Sequence, residues 1–278
     1  MLLNVLSKCI RFSGMNIKAR FLLLLFTPLL SSAIFAQTVK YTHSHNDYNN
    51  AIPFYKAFYN GYNSIEADIF CVDGKLLVAH DKKYIQAERS LKELYLDPLI
   101  YALQKDTLRR VCLLIDVKED YNGELPALIK ELQPLKALLM TKDHPGRLKI
   151  LISGNRPAPK EYKNYPDYLF FDDDLIFPHT KAEWERVGQV SLDFSKYSKW
   201  KGVGSIPDAD KQRIKYTVDS VHTHVGKPVR FWGAPDTDES WKTQIDVGAD
   251  IIGTDLIEQL AAWLSKKSLK QPATAVIR

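Results

Sequence analysis

A chain of 278 residues with 45% hydrophobic content is long enough to bury one large core or to close one barrel. Its formal charge of +5 makes no case for a nucleic-acid partner. Lys8, Arg11, Lys18 and Arg20 lie in the first 36 residues with no acid among them, and residues 37–278 carry only +1.

Residues 1–36 read as a secretory signal peptide. The four cations precede an almost wholly apolar run, Phe21 to Leu30, and small residues follow at Ser31, Ser32, Ala33 and Ala36. Cleavage is expected after Ala36 or Ala33, with Met15 as an alternative start. Pro28 and the shortness of the run argue against a retained spanning helix. The expected location of the remaining domain, residues 37–278, is therefore the periplasm or the cell exterior. Beyond Cys9 only Cys71 and Cys112 remain, which is no disulfide framework.

In that domain strand-like runs alternate with helical ones. Strands are predicted at 40–45, 64–70, 111–117, 148–153, 168–171, 190–194, 229–232 and 251–254, with a short addition at 76–79. Helices are predicted at 90–104, at 125–139 with an interruption at Pro134, at 208–224 with Asp208 as cap, and at 240–247 and 256–264. Such alternation implies a parallel sheet, and eight units imply a closed (β/α)8 TIM-type barrel, a doubly wound open sheet being the alternative. No Gly-rich phosphate loop follows a strand.

In such a barrel the active site lies at the C-terminal ends of the strands. The polar residues gather there. His43, His45 and Asn46 close the first strand. Glu66 and Asp68 share one face late in the second, while Ile65, Ala67 and Ile69 share the other. His80 and Asp81 follow the added strand, Asp116 and Lys118 end the third, Trp232 ends the seventh and Asp255 follows the eighth. Two carboxylates on one side of a buried strand repel each other unless a cation or donors neutralise them. Glu66, Asp68 and Asp116, with Asn46 as a neutral oxygen, are therefore candidate ligands for one divalent cation, Mg²⁺ or Ca²⁺. His45 and His80 flank them as candidate base and acid for cleaving a phosphodiester. Lys118 would hold a phosphate oxygen as a point charge, Asp81 would orient His80, and His43 and Trp232 are candidate substrate contacts.

These residues resemble the superfamily of phosphatidylinositol-specific phospholipases C and glycerophosphodiester phosphodiesterases. Ser44-His45-Asn46-Asp47 is similar to the Thr-His-Asn-Ser element of the phospholipases, in which the His is catalytic and the Asn touches the metal. Ser64 to Asp68 and Leu77 to Asp81 resemble the metal-ligand pair and the second catalytic His. Residues 229–232 and 248–255 resemble the last two strands of glycerophosphodiesterases. The His-Arg-Gly and Pro-Glu-Asn elements of typical glycerophosphodiesterases are absent. Ile115-Asp116-Val117-Lys118 is similar to the sphingomyelinase D branch, and His43 to Tyr48 to a branch that includes altered inheritance of mitochondria protein 6. The resemblance implies a metal-dependent phosphoric diester hydrolase acting on a small phosphodiester or a lipid head group, by water or by the substrate's own hydroxyl. A monomer is expected, and transient contact with a membrane surface stays open. Two other readings compete. An amidohydrolase would share the His-x-His of His43 and His45 but needs further His after the fifth and sixth strands, and a catalytically silent barrel would only bind a phosphate-bearing ligand.

Overall fold

Short runs rich in Ile, Leu and Val form the strands of a closed barrel in the computed structural model, which describes residues 41–270. The expected signal peptide, residues 1–36, lies outside the described residues. In chain order the strands are β1 (Tyr41–Ser44), β2 (Ser64–Val72), β3 (Lys75–Val78), β4 (Val111–Val117), β5 (Leu148–Gly154), β6 (Leu169–Asp173), β7 (Val187–Asp193), β8 (Val229–Trp232) and β9 (Ile251–Thr254). All but β3 run parallel, and β1 pairs with both β9 and β2, so the eight parallel strands close and the open-sheet alternative falls. β3 is antiparallel to the upper part of β2.

The helices are α1 (Tyr55–Tyr59), α2 (Asp97–Lys105), α3 (Tyr121–Glu131), α4 (Lys181–Arg186), α5 (Asp208–His224), α6 (Asp238–Asp246) and α7 (Ile257–Lys270). Two details depart from the sequence expectation, and the predicted break at Pro134 is present. The cap of α5 is Pro207 rather than Asp208, which falls in the first turn, where its charge faces the exposed N–H groups. The run from 90 opens as a π-helical turn, Lys92–Leu96, before α2 begins. Pro134 lacks an N–H, and the chain there leaves α3 for a 3-10 turn, Gln133–Leu138.

Alternation divides the core in two. Ile65, Ala67 and Ile69 of β2 and Leu113, Ile115 and Val117 of β4 point outward and are buried in the main core. Leu114, Leu151 and Phe170 pack together as a second, smaller cluster. The parallel register links Glu66 to Leu114, Leu114 to Leu151 and Leu151 to Phe170. Two residues further along, it sets Asp68 beside Asp116 and Asp116 beside Ser153. A polar layer thus rests on an apolar plug at the C-terminal end of the strands. Leu151→Ala should cost about 2–5 kcal/mol of stability by urea denaturation, because it opens a cavity in that plug. A loss under about 1 kcal/mol would show that the interior collapses around the gap.

Candidate functional site

Glu66 and Asp68 project into the barrel from β2, and register brings Asp116 alongside from β4. One carboxylate oxygen from each of the three lies within 4.8 Å of the others. Their electrostatics differ. Burial alone would raise Glu66, but the hydrogen bond from His43 and the charge of Arg230 outweigh it and hold the group well below the ordinary carboxylate range. Burial, and then the Glu66 charge, raise Asp68. Burial, and then the Asp68 charge, push Asp116 up to about 6.

The donors around the cluster are specific. His43 Nε2 lies 2.7 Å from Glu66 Oε2 and Nδ1 lies 2.8 Å from Ser64 Oγ. Burial lowers His43 to about 4, so the ring is neutral; with Glu66 ionised, Nε2–H is the donor and the Ser64 hydroxyl donates to Nδ1. Arg230 Nη2 approaches Glu66 Oε2 at 3.4 Å. Lys118 Nζ lies 2.9 Å from Asp68 Oδ2 and 3.5 Å from Asp116 Oδ2. Tyr48 Oη lies 2.7 Å from the same Asp68 oxygen. Asp68 Oδ1 is buried with no hydrogen-bond partner. An all-carboxylate donor set, two members carrying raised proton affinity and one an orphaned oxygen, fits a hard divalent cation.

A histidine stands on each side. His45 Nδ1 lies 2.8 Å from Asp255 Oδ1, while Nε2 stands 4.0 Å from Glu66 Oε1. Burial pulls its proton affinity down, but the Asp255 hydrogen bond and the Glu66 charge win, and the net shift is upward. His80 is half exposed, with Nδ1 3.2 Å from Asp68 Oδ2 and 3.1 Å from Tyr48 Oη. The two line neighbouring cavities rather than one cleft. His45, Glu66 and Asp116 share a cavity of about 310 Å³ with Asp172, Arg156 and Trp232. His80 shares one of about 480 Å³ with Asn46, Tyr48 and Arg89. The cause is a split in the barrel wall. β1 pairs with β2 only at residues 64 and 65, and β3 pairs with it only from 69 to 72. Through the interval between them Tyr48 and His80 reach Asp68.

Several expectations need correction. His43 is wholly buried with both ring nitrogens engaged, so it positions Glu66 and cannot touch a substrate. The contact that orients His80 comes from Asp68 rather than Asp81, which precedes the turn Lys82–Tyr84 and makes no side-chain capping bond to it. Asn46 sits in a left-handed conformation, and its Oδ1 lies 2.6 Å from Tyr48 Oη, so it borders the cluster through Tyr48. Trp232 is half exposed and lines the His45 cavity. Three functional candidates escaped the sequence reading. Arg230 shares the inward face of β8 with Trp232, and a lone cation two residues before it was the available signal. Tyr48 belongs to the opening His-Ser-His-Asn-Asp-Tyr stretch. Gly154 takes φ +68°, and a β-carbon there would overlap Asp116 Oδ1 and Val117 O, so only glycine leaves Asp116 its place.

Residues 33–107 match the AIM6-like phosphodiesterase domain family. The chain is 27% identical over 259 residues to an altered inheritance of mitochondria protein 6 homolog of Arthroderma benhamiae, covering 77% of this chain and 80% of that one. It is 25% identical to altered inheritance of mitochondria protein 6 of Lachancea thermotolerans, covering 78% of this chain but 64% of the relative's length. Among solved structures it is similar to a glycerophosphodiester phosphodiesterase from Parabacteroides distasonis, with a TM-score of 0.56, 15% identity and coverage of 84% of this chain and 99% of that one. The two share a closed parallel barrel fold.

The His45 pair gives a direct test. Asp255→Asn should lower the His45 pKa in an NMR titration of the ring protons, since the Asp255 hydrogen bond raises it. An unchanged midpoint would show that Asp255 does not act on the ring.

Proposed function

We propose that this chain, similar to the AIM6-like phosphodiesterases, is an exported, metal-dependent phosphoric diester hydrolase. The observation that carries the reading is the buried cluster of Glu66, Asp68 and Asp116 with a carboxylate-tethered histidine on either side. A divalent cation, Mg²⁺ or Ca²⁺, held by those three residues would draw charge off the phosphoryl oxygens.

The chain's own groups supply the rest. His45, its Nδ1 tied to Asp255, takes a proton at Nε2 from the attacking hydroxyl. His80, its Nδ1 held by Asp68 and Tyr48, gives a proton to the leaving oxygen from Nε2. Lys118 sets a positive charge beside the cluster and serves as a phosphate contact. Arg156 and Trp232 line the His45 cavity, where they bound the rest of the substrate. The substrate is a small phosphodiester or a lipid head group, and the acting form is a monomer. Export rests on the leader-like residues 1–36 and places the enzyme in the periplasm or outside the cell. The amidohydrolase reading loses support, because among the described residues the group that could hold a metal is Glu66, Asp68 and Asp116, with no histidine in it.

Turnover of a panel of phosphodiesters should vanish in excess chelator and return with Mg²⁺ or Ca²⁺. Full activity under chelation would overturn the metal role, and binding without turnover of any diester would leave a silent phosphate-binding barrel. The acid can be isolated through the leaving group. An aryl oxide leaves without a proton and an alkoxide needs one, so His80→Ala should cost roughly 10²-fold more on an alkyl than on an aryl diester. His45→Ala should damage both alike. Equal losses for His80→Ala would reduce that residue to a phosphate contact.

A further inference from the structure

The loop after β6 does something unusual with its apolar side chains. Leu175, Ile176 and Phe177 are consecutive and exposed by 39%, 62% and 54%. Buried apolar surface is the ordinary outcome, and a run of three such residues facing water marks a contact surface. They are held out rather than left loose. Asp173 Oδ1 accepts from the Leu175 N–H at 2.8 Å, and Asp174 Oδ1 from that of Ile176 at 3.3 Å. Asp174 is fixed in turn by Arg156 at 3.1 Å. On the far side of the tip, His179 stacks on Trp184 at 4.1 Å and lies 2.9 Å from Asp173 Oδ2. Leu175 itself takes φ +63°, a conformation that a leucine adopts only under constraint. Asp173 and Asp174 also line the His45 cavity, so one frame shapes the cleft wall and presents the apolar tip.

The neighbouring loop supplies charge. β7 lies next to β6 in the barrel, so the loop that follows it emerges beside the tip. Between Phe194 and Pro207 it holds Lys196, Lys199 and Lys201 and no acid. All three lysines are exposed, and among the described residues none has an ion pair. Val203 on the same loop is 81% exposed. β8 comes next in the barrel and ends on half-exposed Trp232. Apolar side chains beside unpaired lysines, on one sector of the rim, match an acyl boundary beneath anionic head groups. Among the described residues no helix is long and apolar enough to cross a membrane.

We propose that this sector docks on an anionic lipid surface and that the cleft beside it takes its phosphodiester from lipids in that surface. The first half stands on the rim alone; the second rests on the phosphodiesterase reading.

The test uses the full chain and sedimentation with vesicles of phosphatidylcholine, with and without phosphatidylglycerol. Ile176→Ser/Phe177→Ser should weaken binding about tenfold or more. Lys196→Gln/Lys199→Gln/Lys201→Gln should remove most of the preference for phosphatidylglycerol, with about fivefold expected per lysine. Turnover of a soluble diester should be unchanged in both. In a separate Phe177→Trp variant, emission beyond that of the parent should shift to the blue and be quenched by brominated acyl chains. This readout reports position 177 whatever else in the chain binds lipid. Binding that is equal in parent and variants, together with unquenched added emission in the Phe177→Trp variant, would overturn the proposal and leave the rim to a protein partner. A chain that docks and quenches yet cleaves no diester would retain the lipid surface and sink the phosphodiesterase reading.

Discussion

Three carboxylates forced into a barrel interior are the constraint on which the rest depends. The parallel register admits no adjustment, since a slip by one residue would turn Glu66 and Asp68 out of the barrel and Ile65 and Ala67 in. Charge must therefore be met where it lies. The compensation is uneven. Glu66 has a neutral imidazole and a guanidinium, and stays ionised. Asp68 has Lys118 and a tyrosine hydroxyl on one oxygen and nothing on the other. Asp116 has only the longer reach of Lys118, and its proton affinity climbs accordingly. The deficit in positive charge thus falls on Asp68 and Asp116, where a divalent cation would be most strongly held.

Much of this was legible in the chain, and the reason is periodicity. Period-two alternation decides which side chains of β2 and β4 enter the barrel, so Glu66, Asp68 and Asp116 group from the sequence alone. β4, β8 and β9 fall on their predicted spans because each is a short, mostly apolar run bounded by charged residues or by Pro and Gly. What periodicity cannot convey is depth. His43 and His45 share a face of the first strand, yet one lies under Glu66 and the other beside it in the cavity. That difference depends on where β1 stands relative to β2, which no local pattern records. Tyr48 and the Asp68 contact to His80 were hidden for a related reason, since they require knowing that β1 is short. Helices α1 and α4 escaped because five or six residues are too few to display a helical period.

Polar groups beneath the site do as much positioning as those that face the cavity. Asp47 is buried, accepts from Ser44, from the Phe54 N–H and from Tyr95, and so fixes the turn that carries Asn46 and Tyr48. Thr254 and the Asp255 N–H both bond Asp236, which holds the end of β9 and with it the carboxylate on His45. These contacts draw β1, β8 and β9 into one supporting unit. The His80 side has a different support, an appended hairpin strand that is no stave of the barrel.

That split wall has a stereochemical consequence. Displacement at phosphorus brings the nucleophile in along one axis and sends the departing oxygen out along its continuation. A barrel sealed on every side would force both through a single mouth. Here His45 and His80 line separate cavities on either side of the carboxylates, and Tyr48 reaches Asp68 through the interval between β1 and β3. On the phosphodiesterase reading, the departing alcohol would lie on the His80 side, against the hairpin residues Val78 and Ala79, and the attacking group on the His45 side.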